Sequence, residues 1–299
     1  MQNSLAPITL FVYNRPIHTK RTVEALQKNS LATESDLFIY SDGPKDEVDK
    51  ERVNSVREYL RTINGFKSVK IVERTKNWGL AKSIISGVTE IVNKYGRVIA
   101  LEDDLVTSPY FLQYINEALT FYENDNRVIS VHGYNYPVVG ILPETFFLRG
   151  ADCWGWATWK RGWDLFETDG KKLLTELESR NLMRQFDLDG TYSFSGMLKR
   201  QIAGLNNSWA VRWHASAFLV DKLTLYPGKS LVENIGQDKS GTHISSGKIY
   251  KANISENPVT VGNIPIEENK GARQAIIEYL LSQHPGIIEK IKELFKNRS

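Results

Sequence analysis

The stretch Val98-Ile99-Ala100-Leu101-Glu102-Asp103-Asp104-Leu105 decides the fold. Its opening residues make a short apolar run with β-branched members, the pattern of a strand buried on both faces. Three carboxylates follow without a break, which puts them at the strand's C-terminal tip. In an open α/β sheet, that tip is where ligands bind. Clustered carboxylate oxygens suit a hard cation such as Mg2+ or Mn2+, which can in turn clamp a diphosphate. Three adjacent acids repel one another unless a cation or basic group offsets them. The alternative is a charge cluster at a helix N-terminus, favoured by the macrodipole. Asp104 is the preferred direct metal ligand; Glu102 and Asp103 are expected to contact a sugar, a ribose or metal-bound water.

Upstream, strand and helix patterns alternate: Ile8 to Tyr13, then Ile17 to Lys28; Leu37 to Tyr40, then Asp46 to Ile63; Val69 to Val72, then Leu80 to Tyr95. That alternation predicts a mostly parallel, Rossmann-like α/β sheet flanked by helices on both faces. Downstream, Ser108-Pro109 predicts a helix through about Tyr122, with Ser108 as N-cap and Pro109 at the first helical position. Val128 to Val131 resumes the sheet. Beyond residue 134, six of the seven tryptophans fall between Trp154 and Trp213. Tryptophan that dense predicts both a core and an apolar, hydrogen-bonding cleft for an acceptor, with Trp154, Trp156 and Trp209 as its candidate contacts. The expected organisation is a nucleotide-binding half, 1–133, an acceptor-binding half, 134–270, of the same domain, and a helical segment, 271–299.

The 299 residues can bury a large core, and 41% hydrophobic with 24% charged residues fits neither the disordered nor the membrane class. A net charge of +3, with Lys and Arg dispersed among acids, argues against a nucleic-acid tract and leaves a small polyanion compatible. The single cysteine, Cys153, excludes an intrachain disulfide and a Cys-based zinc cage. With no secretory pattern at Met1 and no apolar stretch near the roughly 20 residues that span a bilayer, a cytoplasmic protein is expected. Near the C-terminus, Ile287, Ile288, Ile291, Leu294 and Phe295 lie opposite Lys290, Lys292 and Lys296 at helical spacing. Docking on its own domain is favoured for that helix over peripheral contact with the inner face of the membrane.

Several polar residues end strands. Asn14 and Arg15 follow the first strand, where Arg15 could grip a phosphate or stack near a base, or be a surface arginine before a proline-started helix. Asp42 follows the second, as an acceptor for a uracil imide or ribose hydroxyl, or as a turn cap. In Asn77-Trp78-Gly79-Leu80-Ala81-Lys82, glycine permits close backbone approach and Lys82 is a candidate diphosphate contact; a plain helix start is the competing reading.

Taken together, Tyr13-Asn14-Arg15-Pro16, Ser41-Asp42-Gly43, Asn77-Trp78-Gly79-Leu80 and Leu101-Glu102-Asp103-Asp104-Leu105 with Pro109-Tyr110-Phe111 resemble the GT-A glycosyltransferases. Within them they are similar to the N-acetylglucosaminyltransferase I type, whose Glu-Asp-Asp is followed by Leu and then Pro-x-Phe-Phe. The second half, with Cys153-Trp154-Gly155-Trp156, Ser208-Trp209-Ala210-Val211-Arg212-Trp213 and Gly241-Thr242-His243, is similar to bacterial sugar transferases of polysaccharide clusters. The resemblance covers roughly residues 8–245. It implies a nucleotide-sugar donor, usually a UDP-sugar, and Mn2+ or Mg2+ on Asp104. It also implies Asp42 as uracil partner, Arg15 as base or phosphate contact, and His243 on the metal or diphosphate; a structural or solvated histidine is the alternative for His243. His214, in a helix-like apolar segment, reads as a core histidine.

One departure concerns the base that takes the acceptor's proton. The resemblance implies an Asp beside a second-half tryptophan, where this chain has Asn206-Asn207-Ser208-Trp209. Asp152 is the best remaining acid, with Asp187 and Asp189 behind it. The expectation is therefore a metal-dependent, inverting glycosyltransferase, hexosyl or N-acetylhexosaminyl, acting on a glycan or lipid-linked glycan acceptor in bacterial surface polysaccharide synthesis. A catalytically silent sugar-nucleotide or glycan-binding homologue and a sugar-phosphate nucleotidyltransferase are the rivals. The latter wants a glycine-rich loop that Asn14-Arg15-Pro16-Ile17-His18 lacks.

Overall fold

A computed structural model describes residues 4–238 and 250–283. The alternation upstream of the acids forms as read: β1 (Ile8–Val12), α1 (Pro16–Gln27), β2 (Asp36–Ser41), α2 (Glu47–Leu60), β3 (Ser68–Glu73), α3 (Leu80–Tyr95) and β4 (Arg97–Glu102). Local chemistry sets the ends. Asp46 caps α2 by accepting from the Asp49 N–H at 3.0 Å. Gly96, at φ 78°, closes α3 in the left-handed conformation.

After β4 come β5 (Leu105–Thr107), α4 (Phe111–Phe121), β6 (Val128–His132), β7 (Thr145–Arg149), β8 (Trp156–Trp159), α5 (Lys160–Trp163), α6 (Gly170–Ser179) and α7 (Met183–Phe186). The chain continues through α8 (Phe194–Ile202), α9 (Ala210–Leu219), β9 (Leu223–Pro227), β10 (Val232–Asn234) and α10 (Lys270–Ser282). The helix expected from Ser108 starts later, at Phe111. Ser108 closes a turn instead, its Oγ accepting from the Tyr110 N–H at 3.2 Å and donating to the Ser255 carbonyl at 2.8 Å.

Eight strands form one sheet in the order β3-β2-β1-β4-β8-β6-β9-β7, in which only β8 and β7 run against the rest. β5 and β10 make a separate antiparallel ribbon. From β1 the chain moves outward through β2 to β3, then returns to the other side of β1 as β4, parallel to it. The C-terminal ends of β1 and β4 therefore flank a topological switch point, where neighbouring loops diverge and leave a crevice.

Period-two alternation puts Ile8, Leu10 and Val12 in the core beneath α1 and α4, and Phe11 in a second core with Ile84, Val88, Trp156, Trp209 and Trp213. The tryptophan-rich segment is mostly this second core. Trp156, Trp159, Trp163, Trp209 and Trp213 are all 5% exposed or less. Trp156 and Trp209, expected as acceptor contacts, are among these buried rings and stack on each other at 5.5 Å inside the core. The C-terminal helix expected over 285–299 lies outside the described residues. Among those described, no helix is long and apolar enough to cross a membrane.

Candidate active site

The acids sit where the strand reading put them. β4 ends at Glu102, and Asp103 and Asp104 lie across the switch point from Arg15, which follows β1. Arg15 Nη2 pairs with Asp103 and, at 2.9 Å, with Asp104 Oδ2. Burial works against the Arg15 charge, but the two carboxylates outweigh it and hold the guanidinium protonated. Asp103, 4% exposed, is pinned there. The Glu102 side chain makes no hydrogen bond or ion pair among the described residues. Burial, with repulsion from Asp104 and Asp103, pushes its carboxyl well above the usual range, and Arg15 offsets this only in part. The backbone of Ile235 donates to the Asp104 carbonyl at 2.8 Å and brings Gly236 against the Asp104 carboxylate.

Beside this centre, Asp42 is buried and committed to backbone. It accepts from the N–H groups of Gly43 at 3.0 Å, Trp78 at 2.9 Å and Gly79 at 2.8 Å. The Trp78 N–H also reaches Oδ2 at 3.1 Å, so each oxygen takes two contacts and the roughly four acceptor sites of the carboxylate are engaged. Asn77 Nδ2 donates to the Gly43 carbonyl at 2.8 Å, closing the same loop. Asn14 Nδ2 is held by Asp49 Oδ1 at 2.7 Å, next to a Tyr13 hydroxyl that donates to Asp49 Oδ2. Lys82 is exposed, its ammonium 4.4 Å from the Trp78 ring centroid, and Arg74 packs 4.0 Å from the same centroid.

The second half contributes the segment 151–154. Two histidines, His132 buried and His214 half-buried, clamp it: the His132 Nε2 accepts from the Trp154 N–H at 3.0 Å, and His214 Nδ1 lies 2.9 Å from the Ala151 carbonyl oxygen. His214 thus packs in α9 as a core histidine, against Phe186 and Phe194. Asp152 is half-buried, its Oδ1 accepting from the Cys153 N–H at 2.9 Å. Burial pushes the Cys153 thiol well up, and Asp152, Glu102 and Asp104 add to it, so the acids of both halves act on one point. Asp187 and Asp189 are engaged elsewhere: Asp187 accepts from the Ser195 N–H at 2.7 Å and Asp189 pairs with Arg273 at 2.6 Å. His243 lies outside the described residues.

Of the three expected acceptor tryptophans, Trp154 alone reaches this region, half-buried and edge-on to Tyr134 at 4.8 Å and Tyr250 at 5.4 Å. Tyr136, Tyr192 and Tyr279 complete an aromatic wall that the sequence did not reveal. Burial holds the phenols of Tyr134, Tyr136 and Tyr192 protonated, and the Asp152 carboxylate adds to this in each. The pair Tyr134 and Tyr136 after β6 was a local signal; Tyr192, Tyr250 and Tyr279 arrive from distant elements. Gly236 was missed as well, since only its approach to Asp104 marks it.

No protein-family model matches the chain, and no curated protein matches it. Among solved structures it is similar to the mannosyltransferase PcManGT from Pyrobaculum calidifontis in complex with GDP-Man and Mn2+, at 14% identity over 44% of this chain and 36% of that one, with a TM-score of 0.34. It is similar to S. aureus TarS at 15% identity over 49% of this chain and 25% of that one, TM-score 0.33. For S. aureus TarS 1-349 the figures are 12% identity, 76% and 59% coverage and a TM-score of 0.40. The chain thus spans less than two thirds of each of these, and similarity at this level assigns neither family nor activity.

Proposed function

We propose that the chain is a metal-dependent GT-A glycosyltransferase that moves a hexosyl or N-acetylhexosaminyl group from a UDP-sugar to a glycan acceptor, with inversion, in bacterial surface polysaccharide synthesis. The observation that carries this reading is the convergence of Arg15, Asp103 and Asp104 at the switch point between β1 and β4.

A cation fits the residues there only in one manner. Among the described residues no three His, Cys, Asp or Glu side chains form a cage. Even with the Glu102 carboxyl protonated, the Asp103 and Asp104 carboxylates against one guanidinium leave the cluster negative, and Asp104 gives only Oδ2 to Arg15. That donor set suits an ion held by one or two carboxylates and completed by substrate phosphates and water. Asp104, with Glu102 beside it, would hold it, and when bound it supplies charge that offsets the negative charge growing on the leaving diphosphate.

The remaining steps belong to the chain's own side chains. Arg15 binds phosphate oxygens through the face of its guanidinium not taken by Asp103. Asp42 fixes the 77–79 loop, and a uracil imide would share its carboxylate with the bifurcated Trp78 N–H. The aromatic wall of Trp154, Tyr136 and Tyr250 orients the acceptor sugar and excludes water. Asp152 accepts the acceptor's hydroxyl proton at Oδ2 during in-line attack on the anomeric carbon, since Oδ1 is taken by the Cys153 N–H.

The test is UDP release across a panel of UDP-sugars with Mn2+, with Mg2+ and with EDTA. Release with one sugar that EDTA stops, and that Asp104→Ala abolishes while the fold survives, is expected. Metal-dependent binding that never yields UDP, even with acceptor glycans, would favour the silent binding homologue. No UDP binding at all would overturn the assignment of Asp104.

A further inference from the structure

A second cleft, of about 620 Å³, runs between α3 and the segment that enters α9, lined by Lys82, Ser86, Thr89, Glu90, Asn207 and Arg212. Its unusual member is Arg212, which is 7% exposed and has no carboxylate within ion-pair distance among the described residues. Nε donates to the Ser208 carbonyl at 3.2 Å and Nη1 to the Thr168 carbonyl at 3.0 Å, which uses two of the five N–H donors of a guanidinium. Carbonyls do not neutralise a cation, and a buried charge without a counter-ion is costly. Lys82, in the same lining, also has no acidic partner among the described residues. Glu90 is the one acid of the lining, and it accepts from the Tyr40 hydroxyl at 3.0 Å. Two cations thus line the cleft with carbonyl and ring partners but no ion pair, among two hydroxyls and an amide.

We propose that this cleft binds an oxyanion, carboxylate or phosphate, carried on a saccharide, gripped by Arg212 and Lys82 while Ser86 and Asn207 take neighbouring hydroxyls. The Lys82-to-Glu90 rim is about 12 Å long at the helical rise, the length of one or two sugar rings. The Lys82 end follows directly on Gly79, whose N–H binds Asp42, so the cleft opens beside the donor edge of the sheet. The saccharide is therefore an acidic acceptor glycan, an identification that rests on the transferase reading above.

The experiment is a calorimetric titration of the full chain in EDTA with glucose 6-phosphate, glucuronate, methyl glucoside and inorganic phosphate. At least one of the two sugar anions should bind, methyl glucoside should not, and the better of the two identifies the anion. Lys82→Gln, an exposed change, and Arg212→Lys, which keeps charge but loses the fork, should each weaken that binding by about tenfold or more. Asp104→Ala should leave it intact. Equal affinity for the sugar anions and methyl glucoside, inorganic phosphate binding as tightly as either, or affinities unmoved in both variants would each overturn the proposal. A UDP titration with Mn2+ run in parallel separates the two readings: lost UDP binding with retained sugar-anion binding removes the transferase alone.

Discussion

Gly236 shows how tightly the acid centre is fitted. A Cβ there would stand 2.0 Å from Asp104 Oδ2 and 2.9 Å from Arg15 Nη1, closer than real Cβ contacts occur. The position is otherwise ordinary: its N–H is accepted by Asn234 Oδ1 at 2.8 Å, and its backbone is not left-handed. Gly236→Ala must therefore push the Asp104 carboxylate or the Arg15 guanidinium aside while leaving distant packing untouched. Since about 1 Å of misplacement at a reacting centre costs on the order of 10²-fold, UDP release should fall by about that factor with an unchanged circular dichroism spectrum. A variant as active as the parent would show that the Arg15–Asp104 geometry is not used. Acids at a strand tip were legible from order alone, because three carboxylates after a buried run have few other places to go. Their engagement by Arg15 was not, since it depends on two loops brought together by the crossing of β1 and β4.

At the scale of elements, α3 matters most to the donor edge, because the loop leading into it, up to its N-cap Gly79, is what Asp42 holds. Its seat is set by Gly87. A Cβ at that position would meet Phe11 Cε1 at 2.7 Å and Tyr40 Cε2 at 3.0 Å, two rings stacked on each other at 5.3 Å in adjacent strands. Gly87→Ala gains up to about 1 kcal/mol of helix propensity but overpacks a core, which costs about 1–3 kcal/mol. A net loss near 1 kcal/mol follows, or about 2–4 °C in Tm for a chain of this size. A rise in Tm would mean that the sheet gives way more easily than its packing implies. α3 was read to its exact ends, Leu80 to Tyr95, because glycines bracket a strong 3.6-residue apolar repeat. The tryptophan segment was read less well for a physical reason. Trp156 and Trp209 announce burial by composition, but only the stacking of β8 against α9 decides that they face each other rather than a ligand.

Over the whole molecule, the sheet joins what composition divides. β4, from the first half, pairs with β8 from the second, and one core holds Ile8, Leu101, Leu225 and Val259 together. The halves read from the sequence therefore share strands and core, and unfolding followed by tryptophan fluorescence, which reports mainly on Trp154 to Trp213, should coincide with unfolding followed by far-UV circular dichroism. Two separate midpoints would mean that the halves melt apart. The same transition carries a pH dependence from the segment 151–154, which two histidines tie to β6 and α9. Burial lowers the pKa of His132 and of His214 from the ordinary 6.5, and the Asp152 carboxylate opposes this only in part. Unfolded histidines then bind protons that the folded ones refuse, so this contribution is complete above about pH 6.5 and is lost as the pH falls below it. Protonating His132 Nε2 also removes the acceptor of the Trp154 N–H. Glu102, whose carboxyl is held well above the carboxylate range, works in the opposite sense over the same window, so the readout is a difference: relative to a variant with both histidines replaced by glutamine, which can still accept a hydrogen bond, the parent's Tm should be level from pH 8 to 7 and fall from about pH 6.5 downward. A decline of the same slope in the double variant would assign the acid sensitivity to other groups.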